Sequence, residues 1–389
     1  LIRYSNCMKT IDVKENLKKD ITFYCEDIIE EHLIEPLLKK FDSNNYKVKI
    51  SNDFNSASEI GYYCSPSNNI RNIKSKFSII SLGGMDQGKL YWPNFWFKES
   101  WSRFDLGVLP GKNWSSMWKK YSWYTNARTK YAISETGWPK TFFLKKNKKS
   151  IPRLINKFNI LYAPCFETDN KGIEIVNIIK DLDVNLIIKH LPWRNPSEKV
   201  QFKDIRSNIS NMIKYAKKNL KNKVYIISSK ENIFDYFGNA DLLITDESSL
   251  IYEALLFEIP IVSCSDWVMR VNNINIPRKI QKDHNACIYV GKKKLKKKII
   301  EIKNNYNKFK NLISEKKNMH FSHIENSIDI IFSLINEIVE KNQITNFIKP
   351  TYKKNKYFSL IYNYLKFYKE KLKKVLRILS YRYLKIIYF

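Results

Sequence analysis

Short apolar runs alternate with longer stretches of helical spacing along most of the chain. Ile21–Cys25, Tyr46–Ile50, Ile60–Cys64, Phe77–Leu82 and Leu106–Leu109 have the length and side chains of strands. Between the first two, Asp27–Phe41 places apolar residues at 28, 29, 33, 34, 37, 38 and 41, the spacing of one helical face. Trp114–Tyr131 predicts an aromatic-rich helix, and Ala132-Ile133-Ser134 leads into Gly137-Trp138-Pro139, a turn signal. The basic, Pro-containing stretch Lys145–Arg153 reads as a linker, after which the alternation restarts. Strands are expected at Phe158–Ala163, Val184–Lys189, Val224–Ser228, Leu242–Thr245 and Ile261–Cys264. Helices are expected at Gly172–Leu182, Ile205–Leu220, Glu247–Phe257 and Leu295–Ile313. Short, fully apolar strands alternating with helices imply parallel sheets covered on both faces. The expected fold is α/β: two Rossmann-like domains facing a cleft, spanning residues 1–144 and 154–345.

Residues 351–389 break this pattern. They hold 11 Lys/Arg against the single acid Glu370, together with 11 Tyr/Phe. Apolar residues recur at 361, 364, 365, 368, 372, 375, 376, 379, 383, 386 and 387, which predicts a basic amphipathic helix. Such a helix lies in the plane of an anionic membrane surface, so this tail is expected to be a membrane-associating segment. No run is long and apolar enough to span a bilayer, and Leu1–Ser5 has no apolar leader character. The expected location is the cytoplasm, peripheral on the inner face of the membrane.

Composition then narrows the chemistry. The net charge is +30, but only 11 of the 68 basic residues are Arg, and no nucleic-acid-binding motif is present. Nucleic acid is therefore not an expected partner. Six scattered Cys include no CxxC pair and read as buried thiols in a reducing compartment. The five His form no HExxH, no DxD motif is evident, and no metal is expected.

The most informative stretch is Asn239–Pro260. A buried strand, Leu242–Thr245, ends at Asp246, and Ser248 and Ser249 follow where a helix begins. Free N–H groups at a helix start, with two hydroxyls, suit a diphosphate. Glu253, about one turn inside that helix, is placed to accept from ribose hydroxyls. The competing reading is an ordinary Asp/Ser helix cap. His190 follows the strand Val184–Lys189, at the strand end where α/β folds place ligands.

This stretch resembles the D-x-L-I-T-D-Y-S-S…P segment of the CDP-glycerol:polyol-phosphate glycerophosphotransferases, teichoic-acid and capsule polymer transferases of GT-B fold. Three further landmarks lie in family order. Gly137-Trp138-Pro139-Lys140 resembles the G-Y-P-R closing the first domain, Tyr162-Ala163-Pro164 the Y-A-P-T-W-R opening the second, and Lys189-His190-Leu191-Pro192 the K-x-H-P loop. The resemblance implies a transferase that takes a nucleotide-diphosphate donor as substrate and needs no further cofactor. It implies donor contacts from Pro164, His190, Asp246, Ser248, Ser249 and Glu253, and an acceptor hydroxyl on a cell-envelope polymer or lipid-linked molecule. The sequence departs from the pattern in places. Glu247 stands where the family has Tyr, and Cys165-Phe166-Glu167 follows Pro164 in place of a run ending in Arg. The family's catalytic H-G falls at Gly83-Gly84, and no His occurs between 33 and 189. Asp86, the nearest acid, becomes the candidate base beside His190. The alternative is a glycosyltransferase or epimerase of the same fold acting on UDP-sugars.

Overall fold

In the computed structural model, seven strands form in the first part of the chain: β1 (Ile11–Asp12), β2 (Asp20–Tyr24), β3 (Lys47–Ser51), β4 (Ser58–Tyr63), β5 (Ser75–Ile80), β6 (Leu106–Leu109) and β7 (Ala132–Glu135). The structure describes residues 10–26, 28–64, 70, 72–82, 101–123, 125–145, 149–151, 157–167, 170–190, 200–246, 248–271, 274–277, 286–351 and, beyond these, 361, 364–365, 368–369, 371–372 and 375–376. Six of the seven strands make one parallel sheet in the order β3-β2-β4-β5-β6-β7. β2, β4 and β5 end in unbroken buried runs that are mainly apolar or aromatic, as strands covered on both faces must.

A second parallel sheet runs β10-β9-β8-β11-β12-β15. Its strands are β8 (Asn159–Tyr162), β9 (Asn185–Ile188), β10 (Val224–Ile226), β11 (Leu242–Ile244), β12 (Ile261–Cys264) and β15 (Ile288–Val290), with a separate antiparallel pair, β13 (Val268–Val271) and β14 (Ile274–Pro277). One core joins Ile160, Tyr162, Leu186, Ile188, Leu242, Ile244 and Val262 of these strands to Ile175, Val176 and Ile179 of the helix Lys171–Lys180 and to Met212 and Ala216 of the helix Val200–Leu220.

The two sheets lie in two units that divide at Lys145/Lys146, inside the expected linker. Two linker residues are fastened to the second unit: Lys149 N–H donates to the Asp235 carbonyl at 2.8 Å and Ile151 N–H to Asn239 Oδ1 at 2.9 Å. The far boundary differs from the expected 154–345, because residues 318–365 return to the first unit. The helix Ser327–Lys341 is the reason. Its apolar stripe Ile331, Leu334, Ile335 and Ile338 needs a partner, and the sequence reading had passed over it. Phe332 lies 5.2 Å from the Phe41 ring, Asn336 accepts from the Tyr46 hydroxyl at 2.9 Å, and Asp329 pairs with Lys40 at 2.7 Å. The short strand β16 (Gln343–Ile344) then pairs with β1.

The Gly137-Trp138-Pro139 turn belongs to the same junction. Gly137 has φ +79, and a Cβ there would meet the Ser322 carbonyl at 2.7 Å. Trp138 stacks on Phe321 and donates its indole N–H to the Leu82 carbonyl at 3.1 Å. Two expected helices are shorter than read. The aromatic one is Lys112–Tyr121 followed by a separate 3-10 turn, and Leu295–Ile313 is two helices, Leu295–Asn304 and Tyr306–His320, broken at Asn305. Among the described residues no helix is long and apolar enough to cross a membrane.

Candidate donor site

The C-terminal ends of three adjacent strands, β9, β8 and β11, bring the second unit's candidate residues to one sheet edge. Neighbouring strands are about 4.8 Å apart, so groups one or two residues past each strand lie within reach of one small ligand. Past β8 comes the buried Ala163-Pro164 step, past β9 comes His190, and past β11 come Asp246 and the serines.

Asp246 is wholly committed within its own unit. One carboxylate oxygen accepts the Cys165 N–H at 2.6 Å; the other accepts the Phe166 N–H at 3.0 Å and the Lys171 ammonium at 2.9 Å. The ion pair is sealed, with side-chain exposures of 1% for Lys171 and 5% for Asp246. A buried carboxylate with three donors is satisfied. Asp246 thereby ties the turn after β8 to the turn after β11. Thr245 adds to the tie through its hydroxyl, which donates to the Ala163 carbonyl at 2.7 Å.

Glu167 stands where the resemblance expects arginine, and it too is internal. It accepts from the Tyr162 hydroxyl and from the Gly172 N–H, each at 2.8 Å. Burial pushes its carboxyl up to about 7, with Asp246 adding to the rise and Lys171, Gly172 and Tyr162 opposing it. Glu167 and Lys171 were both missed from the sequence. Their i, i+4 spacing ahead of an apolar helix was the available signal.

Ser248 and Ser249 make the start of the short helix Leu250–Leu256. The buried Ser248 hydroxyl accepts the Leu250 N–H at 3.2 Å, while Ser249 is half-buried and its side chain makes no capping bond. Glu253 is buried in the first turn of the helix. His190 is 6% exposed, its ring is perpendicular to Tyr162 with centroids 6.3 Å apart, and its Nε2 has no hydrogen-bond partner. Burial, then the Lys189 charge, holds the imidazole down to about 4, so it is neutral at physiological pH. A buried ring nitrogen left without a partner is the kind of exception that points to a ligand. Asp86, Gly83 and Gly84 lie outside the described residues, as does Glu247. No group of three or more His, Cys, Asp and Glu capable of holding a metal exists among the described residues.

Two units, each built on a six-stranded parallel sheet, give the chain an α/β fold of GT-B type. Residues 87–269 match the family model described as CDP-Glycerol:Poly(glycerophosphate) glycerophosphotransferase. None of the curated proteins compared matches it. Among solved structures, the wall teichoic acid polymerase TagF soaked with CDPG aligns over 85% of this chain and 90% of that one, with TM-score 0.53 and 15% identity. The S. aureus MnaA–UDP co-structure aligns over 86% and 100%, with TM-score 0.56 and 14% identity. A protein described as a UDP-N-acetylglucosamine 2-epimerase from Listeria monocytogenes aligns over 83% and 97%, with TM-score 0.56 and 11% identity. At these identities the structural likenesses establish the fold.

Proposed function

We propose that this chain transfers a polyol phosphate from a CDP-glycerol-type donor to a hydroxyl of a cell-envelope polymer or lipid-linked acceptor. The observation that carries the reading is the serine turn at the edge of the second sheet, with the unpartnered Nε2 of His190 two strands away, inside the family-matched stretch. The donor's phosphates lie at the helix start formed by Ser248 and Ser249 and at His190, beside the Pro164 turn, and its ribose lies toward Glu253. Neutral His190 contributes a hydrogen bond, and the Ser249 hydroxyl, which makes no capping bond, contributes another. The acceptor hydroxyl needs a base, for which Asp86 remains the candidate. The test is a thermal-shift screen of CDP-glycerol, CDP-ribitol and UDP-, GDP- and CMP-sugars. CDP-glycerol is expected to raise the melting temperature most, because a ligand that binds only the native state stabilises it. A shift from UDP-sugars alone would favour the second reading, a sugar-nucleotide enzyme, which the UDP-bound neighbour of the same fold supports.

The tail belongs to this proposal. Its described residues are helical and exposed, and they include Ile361, Leu365, Leu372, Val375 and Leu376 on a 3–4 spacing with Lys369 between. Residues 351–389 hold the enzyme on anionic membrane, near a lipid-linked acceptor, at the cytoplasmic face. Co-sedimentation with anionic vesicles should be lost in a chain ending at Thr351 and reversed by high salt in the full chain. Ending there retains the Thr351 N–H bond to Ser122 Oγ at 2.8 Å. Equal sedimentation of both forms would rule the anchor out.

A further inference from the structure

Lys189 follows β9 directly, between that strand and His190. It is 7% exposed. Its ammonium donates to the His190 carbonyl at 3.0 Å and the Ser229 carbonyl at 2.9 Å, and it has no ion-pair partner among the described residues. A buried ammonium held only by carbonyl dipoles is unfavourable, because no opposite charge offsets its lost hydration. The acid felt by the amine is Glu231, whose oxygens are engaged by the Tyr236 hydroxyl at 2.7 Å and by Lys149 at 3.1 Å. The other buried cation at this edge, Lys171, is spent on Asp246, and His190 is neutral. Among the described side chains at the ends of β8, β9 and β11, Lys189 is thus the one positive charge not met by an acid.

We infer that Lys189 is the cation that meets the donor's diphosphate, and that donor binding draws a proton onto its amine. The inference rests on the donor reading above and deepens it. Burial lowers the amine to about 8, with Glu231 opposing, so a deprotonated fraction exists in mildly alkaline solution. An approaching dianion favours the charged form and recovers that fraction from solvent. The other titratable groups facing this edge are Glu167, with Tyr162, Lys171 and Asp246 packed on it, and His190. His190 would take up protons on the acid side, giving the opposite pH trend. Glu167 would give an uptake that survives any change at Lys189.

The test is calorimetric titration of the full chain with CDP-glycerol in buffers of different ionisation enthalpy, which counts protons. The diphosphate of CDP-glycerol is esterified at both ends and contributes no titration near neutrality. At pH 8 the wild type should take up on the order of half a proton per CDP-glycerol, and close to none at pH 6.5. Lys189→Arg keeps a charge that never titrates, so it should bind CDP-glycerol with that uptake abolished. Lys189→Met should weaken CDP-glycerol by about tenfold or more and leave cytidine affinity unchanged. Binding without uptake at pH 8, or undiminished uptake in Lys189→Arg, overturns the inference and leaves the donor reading standing. Absence of any CDP-glycerol binding by the wild type overturns the donor reading, and the inference with it.

Discussion

The two sheets share an architecture but end in different chemistry. At the C-terminal edge of the second, the buried ionisable side chains include Glu167, Lys171, Lys189, His190, Asp246 and Glu253. At the same edge of the first, the described residues include the thiols Cys25 and Cys64, with sulfurs 3.5 Å apart, the Ser81 hydroxyl bonded to the Cys64 carbonyl at 3.0 Å, and the half-buried Glu135 bonded by Ser115. The buried acid of the first unit, Asp105, precedes β6 at the opposite edge, where it binds Ser78 and Lys130. A buried charge at a strand start is framework. Buried charges massed at strand ends, where such folds take ligands, fit the donor site proposed on the second sheet.

The comparison breaks most visibly at Asp246. Asp246→Ala leaves Lys171 charged and unpaired and two N–H groups unmet, and should cost about 3–5 kcal/mol in urea unfolding. If the loss is under about 1 kcal/mol, the edge is not held by this charge pair. Next in size, His190→Ala or the double change Ser248→Ala with Ser249→Ala should weaken nucleotide binding by about 1–3 kcal/mol per contact, read by calorimetry, with the fold retained. Ser248→Ala also removes a cap bond and costs about 1 kcal/mol of stability.

The third prediction concerns pH. Glu167 titrates at about 7 when folded and near its ordinary value of 4.5 when unfolded, so the folded state binds the extra proton. Wild-type stability should therefore fall as pH rises from about 4.5 through 7, by at most about 3 kcal/mol. Glu167→Gln removes that slope. Its melting temperature relative to wild type should climb between pH 5 and pH 8, and a constant difference would show that Glu167 stays ionised. The smallest effect is expected at the first sheet's edge. Ser81→Ala should cost about 1 kcal/mol of stability and leave nucleotide affinity unchanged.

Much of the framework was legible because it is local. The strands Leu106–Leu109 and Ile261–Cys264 have the bounds read from their apolar runs, and the serine segment announced itself by order and spacing. The organisation of the site was not legible. The three donors to Asp246 lie 75, 80 and 81 residues from it in sequence, so nothing near Asp246 distinguishes an organising carboxylate from one that meets a ligand. Lys189 reads as the polar end of a strand until Ser229 folds beside it. The helix Ser327–Lys341 carries a plain apolar stripe, but the surface it covers lies some 290 residues earlier, around Phe41 and Tyr46. The break at Asn305 splits a continuous helical pattern that contains no Pro or Gly to signal it.

The return of that helix orders events during synthesis. The sheet of the second unit is complete once residues through β15 have emerged. The first unit, begun earlier, must wait with Phe41 and Tyr46 uncovered until Phe332 and Asn336 leave the ribosome. The half of the protein that starts first therefore finishes last, and in the interval its apolar face is what chaperones and proteases meet.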